Sequence, residues 1–296
     1  RDVAPSRGLG DVYKRQDVKC LQEDRKGNLW IGFDGEGLVK QDVTRKSYNR
    51  FNAKEHSIPS DLIICSCLDS RNRMWFGTYG GGVFYEQDGK FVPLHYVGLD
   101  GKNTSLKHIW RIVEDANGTL WFGTFMQGLY AMDGKGNFTA YTMDSSILRT
   151  GSILDLAYSK GRNLYIGTSS GLYSIDIYTR KMTPITGTKA NTKSLPDSYI
   201  SSLFYDSRGL LWIGTRNGMT VFDEKKDEMV HLTTEDGLSH NSIRAITEDK
   251  LKNIWVTTDH GITNIVVDSS PAGQGKDSPY LCYPYFEEDG IGDMTF

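Results

Sequence analysis

Residues 73–83 read RMWFGTYGGGV, and variants of the phrase recur as NLWIGFDGEGL (28–38), TLWFGTFMQGL (119–129), NLYIGTSSGL (163–172), LLWIGTRNGM (210–219) and NIWVTTDHGI (253–262). The aromatics that anchor it, Trp30, Trp75, Trp121, Tyr165, Trp212 and Trp255, stand 45, 46, 44, 47 and 43 residues apart. A period in the mid-forties with a recurrent tryptophan strand marks a blade-like β unit, stacked radially or as a solenoid. The most conspicuous residues are then architectural, and function is to be sought where the repeats disagree.

Six residues before each aromatic stands Asp24, Asp69, Asp115, Ser159, Asp206 or Asp249, opening loops such as DRKGN, DSRNR and DANGT. Asp bonds its own backbone in such turns while Gly or Asn accepts a left-handed conformation. These carboxylates therefore read as turn caps, not catalytic acids. An apolar strand precedes each turn, as in IICSCL, IWRIVE and ISSLFY. Gly32, Gly77, Gly123, Gly167 and Gly214 follow the aromatic by two residues and read as sites of close sheet approach. Thr78, Thr124, Thr168, Thr215 and Thr258 sit one residue beyond that position and read as strand-edge residues.

A second hairpin and a weaker fourth strand (FVPLHYV, FTAYTM, MVHLTT) complete the unit. Four antiparallel strands joined by short turns make a propeller blade, with the aromatics supplying burial between blades. A solenoid of parallel coils favours shorter repeats and lacks the hairpins. The expected fold is an all-β β-propeller with blades at about 18–61, 62–107, 108–151, 152–198, 199–241 and 242–286. EEDGIGDMTF (287–296) parallels TEDGLSHNSI (234–243), so 287–296 reads as the first strand of a further blade in a fragment of a seven-bladed ring. Residues 1–17 match no repeat and read as a cloning or adapter remnant, or as a piece of a longer protein.

The net charge of −3 comes without long charge runs, which disfavours nucleic-acid and anionic-membrane binding. Cys20, Cys65, Cys67 and Cys282 form no CxxC pair; Cys20 and Cys65, at the same repeat position, read as small buried residues packed between sheets, and neither a disulfide framework nor a zinc site is supported. No apolar run approaches the roughly 20 residues of a membrane span.

The repeated phrase D-x-x-G-x-L-W-x-G-T-x-x-G-L resembles the two-component regulator propeller repeat over about residues 18–296, and TEDGLSHNSI resembles its inter-blade phrase. Departures are Tyr165 and Ser159 in blade 4 and Thr257 in place of Gly in blade 6. The resemblance implies the periplasmic sensor propeller of a hybrid two-component histidine kinase, as in the Bacteroidetes. It further implies an oligosaccharide ligand from glycan breakdown, a second propeller and downstream domains as partners, and a homodimeric parent. It implies no cofactor and no enzymatic activity for this piece.

In an up-and-down blade, the lead-in to the inner strand and the turn between strands two and three share one face, opposite the D-x-x-G turns. Variable residues at that face include His108, Met126, Gln127, His240, Asn241, Asp34, Glu36 and Asp259. The ligand-binding candidates among them are Trp110, Arg111, Tyr79, Phe125, Arg216, Asn217, Arg244 and His260. Aromatics beside Arg, Asn and His suit a sugar, and equally a protein surface. Trp110 stands out because its counterparts are Lys19, Ile64, Leu154, Ser201 and Arg244; its alternative role is core filling between blades. Arg111 could instead pair with Asp155. No GxSxG elbow, HExxH helix or phosphate loop occurs, and neither catalytic nor metal-ligating residues are assigned. Two other classes stay open: a lyase related to the streptogramin lyases, and a glycan-independent assembly scaffold.

Overall fold

The computed structural model describes residues 17–56, 58–97, 103–104, 106–186, 194–268 and 278–291. The N-terminal segment up to residue 16 and residues 292–296 of the strand expected over 287–296 lie outside the described residues; the start of that stretch, Glu287–Asp289, is a 3-10 helix rather than a strand, as is Thr234–Asp236 in the parallel phrase. Six four-stranded antiparallel sheets follow one another along the chain, each pairing its strands in sequence order. These are the blades of a β-propeller. Their inner strands are Val18–Glu23, Ile63–Leu68, Ile109–Glu114, Ile153–Tyr158, Ile200–Tyr205 and Ile243–Glu248. A small additional hairpin, Tyr96–Val97 with Asn103–Thr104, follows blade 2, where the sequence suggested one long fourth strand. The chain forms two compact units, residues 1–139 with blades 1–3 and residues 140–296 with blades 4–6.

Within five of the six blades one carboxylate ties the first hairpin and the aromatic strand together. Asp206 Oδ1 accepts the backbone N–H groups of Arg208 and Leu210, both at 2.9 Å, while its Oδ2 accepts the indole N–H of Trp212 at 2.9 Å. The same indole bond joins Trp30 to Asp24 (3.1 Å), Trp75 to Asp69 (2.8 Å), Trp121 to Asp115 (2.9 Å) and Trp255 to Asp249 (2.9 Å). The turn-cap reading accounts for half of this acid's work. A buried indole N–H needs a partner, and hydrogen bonds to a charged group contribute about 1.5–3 kcal/mol each.

Blade 4 meets the same demand differently. Ser159 Oγ takes the turn bond from Asn163 N–H (3.1 Å), and the Tyr165 hydroxyl donates to Glu224 of blade 5 at 2.7 Å. Burial first, then the Glu224 carboxylate, push the Tyr165 phenol far above its usual range.

The aromatics pack forward onto the next sheet. In the first unit, Trp30 shares a cluster with Ile63, Phe76 and Phe84, and Trp75 with Ile109, Ile112 and Phe122. In the second, Tyr165 packs with Ile200 and Leu203, and Trp212 with Ile243 and Ile246. Trp255 is only half-buried, stacked on Tyr285 at 5.9 Å. The glycine two residues past the aromatic is the notch for the next blade's isoleucine: a Cβ on Gly77 would lie 2.6 Å from Ile109 Cγ2, and one on Gly214 would lie 2.6 Å from Ile243 Cγ2.

Of the two cysteines expected to be buried between sheets, Cys65 is and Cys20 is only partly so. Cys65 is buried, while Cys20, Cys67 and Cys282 are half-buried, and all four are free. Burial pushes the thiols of Cys20 and Cys282 up to about 11 and that of Cys67 up to about 12. They stay protonated at neutral pH and are poor nucleophiles.

Two outcomes follow. Gly214→Ala destabilises by about 1–3 kcal/mol, the range for overpacking, and Ile243→Ala, which removes the Cγ2 methyl that the added Cβ would meet, costs less on that background than on the parent in a denaturant double-mutant cycle. Two of these turn aspartates, Asp24 and Asp249, contribute to the acid limb of stability. The Trp255 indole, opposed by a little burial, holds the Asp249 carboxyl below its usual range. Burial raises Asp24, but bonds from Asn28, Trp30 and Lys26 outweigh it and leave that carboxyl lowered too. A carboxyl depressed in the folded state stabilises above its unfolded value of about 3.9, and that contribution is lost as pH falls through the folded value. The melting temperature therefore holds above about pH 5 and drops below about pH 4, less steeply in Asp249→Asn.

Candidate functional site

The face opposite the Asp turns is assembled by two repeated devices. The first is a buried threonine latch. Thr78 donates its hydroxyl to the Gly82 carbonyl (2.8 Å), Thr124 to Gly128 (2.7 Å), Thr168 to Gly171 (2.8 Å), Thr215 to Gly218 (2.8 Å) and Thr258 to Gly261 (3.0 Å). These threonines close the turn between strands two and three, a more specific task than the strand-edge role expected. The residue after the latch then binds back to the lead-in of its own inner strand. The Tyr79 N–H donates to the Leu62 carbonyl (3.0 Å), Phe125 to His108 (2.9 Å) and Asp259 to Ser242 (3.1 Å). Lead-in and turn thus share one face within a blade.

The second device is a β-bulge at the start of every inner strand. The pairing register slips between Val18 and Cys20, Ile63 and Cys65, Ile109 and Arg111, Ile153 and Asp155, Ile200 and Ser202, and Ile243 and Ala245. The residue left out of register is Lys19, Ile64, Trp110, Leu154, Ser201 or Arg244. A bulge re-aims its side chain out of the ladder. The post-latch residue, always 15 positions further on, is Asp34, Tyr79, Phe125, Ser169, Arg216 or Asp259. Three of these pairs touch. Lys19 Nζ lies 3.3 Å from Asp34, Arg244 bonds Asp259 through its guanidinium, and the Trp110 and Phe125 rings lie 5.7 Å apart at 33°. Burial raises the Asp259 carboxyl, and bonds from Ser242 and Arg244 outweigh it, leaving it below its usual range.

In the first unit the structure brings Tyr79, Trp110 and Phe125 into one aromatic group. Tyr79 lies 6.5 Å from Trp110 and 4.2 Å from the His108 ring. Trp110 is half-buried at the face rather than part of the closed core. Arg111 is exposed, and its charge opposes the rise that burial imposes on the thiols of Cys20, Cys65 and Cys67. In the second unit, Asp155 accepts backbone N–H bonds from Leu156 and Leu203, both at 2.8 Å.

The Arg216 guanidinium lies 3.7 Å over the Tyr199 ring, a stack that holds the exposed arginine in place. Tyr199 was missed in the sequence, although it occupies the lead-in position of His108. Asn217 is exposed and bonds the Thr215 latch through its backbone N–H (3.0 Å). The His260 ring lies 5.9 Å from Phe286, and both line a shallow pocket with Glu287 and Glu288. His240 and Asn241 serve the turn: Ser242 N–H donates to His240 Nδ1 (3.1 Å), and Gly218 N–H to the Asn241 carbonyl (2.7 Å). Among the described residues, no group of three or more His, Cys, Asp or Glu side chains is placed to hold a metal ion. Among them, too, no helix is long and apolar enough to cross a membrane.

Frame and face together define a β-propeller in which one Trp–Asp unit is repeated and the blade mouths vary. The repeat matches that of the two component regulator propeller: the family model matches residues 13–35, 57–80, 105–126, 194–217 and 237–260. The five matches leave out blade 4, where Tyr165 and Ser159 replace the Trp–Asp pair. The chain is 29% identical over 181 residues to histidine kinase P4 of Formosa agariphila, which covers 59% of this chain but 13% of that protein. Its fold is similar to the extracellular domain of the hybrid two component system BT3049 from B. thetaiotaomicron, with TM-score 0.75, 22% identity, 94% of this chain and 35% of that chain covered. It is also similar in fold to virginiamycin B lyase from Staphylococcus aureus, with TM-score 0.65, 14% identity, and 90% and 83% of the two chains covered.

Trp30, Trp75, Trp121 and Trp212 are each at most 2% exposed, whereas Trp110 and Trp255 are half-buried. Acrylamide is therefore expected to quench only these two of the six tryptophans efficiently, and Trp110→Phe to remove about half of the quenchable emission.

Proposed function

We propose that this chain is the extracytoplasmic ligand-sensing part of a sensor histidine kinase and that it responds to oligosaccharides released from complex glycans. The observation that carries the reading is the contrast between a repeated frame and its paired face positions, which change from Lys–Asp to Trp–Phe to Arg–Asp between blades. Positions that change in this way from blade to blade suit recognition of something irregular, and aromatics such as Trp110 and Phe125 suit sugar rings edged with hydroxyls. The similarity to a histidine kinase and to an extracellular domain of a two component system supports the class. In this reading the chain itself carries no enzymatic step, and the kinase activity belongs to other domains of the parent. The sensor works in the periplasm, beside a second propeller and downstream signalling domains, in a homodimer.

Calorimetric titration of the purified chain with neutral and acidic oligosaccharides tests the proposal. Saturable heat at micromolar to millimolar concentration from at least one class is expected, with no response to the corresponding monosaccharide mixture at equal mass. A chain that binds none of the saccharides but captures a second propeller would instead be an assembly scaffold.

A further inference from the structure

Blade 3 concentrates departures from the repeat that its packing does not require. Its bulge carries Trp110, its post-latch position carries Phe125, and Tyr79 joins them from blade 2. Tyr79 is 42% exposed and Met126 72% exposed, so the group is open to solvent. Met126 adopts a left-handed conformation at φ 73°, where the matching turns of blades 1 and 2 use Gly35 and Gly80. His108 is left-handed too, at φ 54°, unlike its counterparts Leu62, Ser152, Tyr199 and Ser242. Its buried Nδ1 has no hydrogen-bond partner among the described residues. A strained backbone and an unsatisfied buried polar atom are each unfavourable, and both tend to persist at functional sites.

Resting on the sensing function proposed above, we infer that Tyr79, Trp110 and Phe125 form a stacking platform for the apolar face of a pyranose ring. The rings are tilted, at 33° between Trp110 and Phe125 and 51° between Tyr79 and Trp110, which makes a curved shelf rather than a closed stack. Met126, exposed, follows Phe125 directly, and Lys107 is exposed on the lead-in, where its backbone N–H donates to Gln127 Oε1 at 3.0 Å. His108 is a positioning residue: its ring supports Tyr79 from 4.2 Å and its carbonyl accepts the Phe125 N–H. Three rings suit one or two sugar units. A stable protein partner needs about 800 Å² on each side, far more than this group offers.

The test titrates the 296-residue chain with cellotetraose, xylotetraose, mannotetraose, galactotetraose and tetragalacturonate, alongside Trp110→Leu, Phe125→Leu, Met126→Gly and, as an exposed aromatic control, Tyr178→Ala. The expected result is binding of at least one tetrasaccharide, weakened about tenfold or more in the two leucine variants, the loss associated with an aromatic stacking contact. Tyr178→Ala binds as the parent does. Met126→Gly keeps or raises the melting temperature while weakening binding, because glycine relieves the left-handed strain. Binding that survives both leucine variants overturns the platform and leaves the sensing function standing. If no tetrasaccharide binds, both fail. A sharp fall in melting temperature for Trp110→Leu, with binding at the remaining folded fraction unchanged, makes these rings core packing and overturns the inference.

Discussion

The bond from a tryptophan indole to the aspartate six residues earlier is the constraint on which five of the six blades depend. It joins two problems that are usually solved separately. A tight hairpin needs acceptors for its loop N–H groups, and a large aromatic buried between sheets needs a partner for its own N–H. One carboxylate serves both: Asp115 accepts the N–H groups of Asn117 and Thr119 on one oxygen and the Trp121 indole on the other. The turn therefore sets the position of the aromatic, and the aromatic sets how the next sheet packs. Blade 4 shows that satisfaction of the polar end matters more than the residue types. Where the acid is replaced by Ser159, the aromatic becomes Tyr165, whose hydroxyl finds Glu224 on the neighbouring blade.

With one end of the blade held this way, the other end is also largely committed. The threonine latch closes the second turn, and the glycine notch receives the isoleucine of the following inner strand. The bulge residue and the residue 15 positions later stand out of this scheme. Neither is needed to complete a ladder or a core, so their chemistry can vary at little cost to the fold. Their contents run from ion pairs, Lys19 with Asp34 and Arg244 with Asp259, to the ring pair of Trp110 and Phe125. Recognition is thereby separated from folding within a single short repeat.

Much of the frame could be read from the amino-acid order because it is periodic. The aromatic spacing names the blade, and the aspartates announce the turns. What the spacing could not say is where a side chain's second hydrogen bond goes; six residues between Asp and Trp do not reveal that the indole edge turns back to the carboxylate. Trp110 was visible as a break in the pattern, since no other inner strand has an aromatic there. Its pairing with Phe125 was not, because it depends on a bulge, which is a property of register rather than of composition. Tyr199 was missed for a related reason. It looks like one more strand residue until Arg216, 17 positions on, is seen lying over its ring.

The left-handed residues of blade 3 make sense only against this frame. Strain at Met126 and His108 persists because neighbouring bonds over-determine their backbone. Thr124 accepts the Gln127 N–H at 3.1 Å and donates to the Gly128 carbonyl at 2.7 Å, which closes the turn around Met126 from both sides. The Phe125 N–H bond to the His108 carbonyl clamps the lead-in to that same turn. Directly beneath them, Ile109 is fully buried between blades and fixes the start of the inner strand. A unit that repeats its stabilising contacts can accept an unfavourable conformation in one copy without losing the others. That tolerance is how an array of nearly identical blades can acquire one chemically distinct mouth.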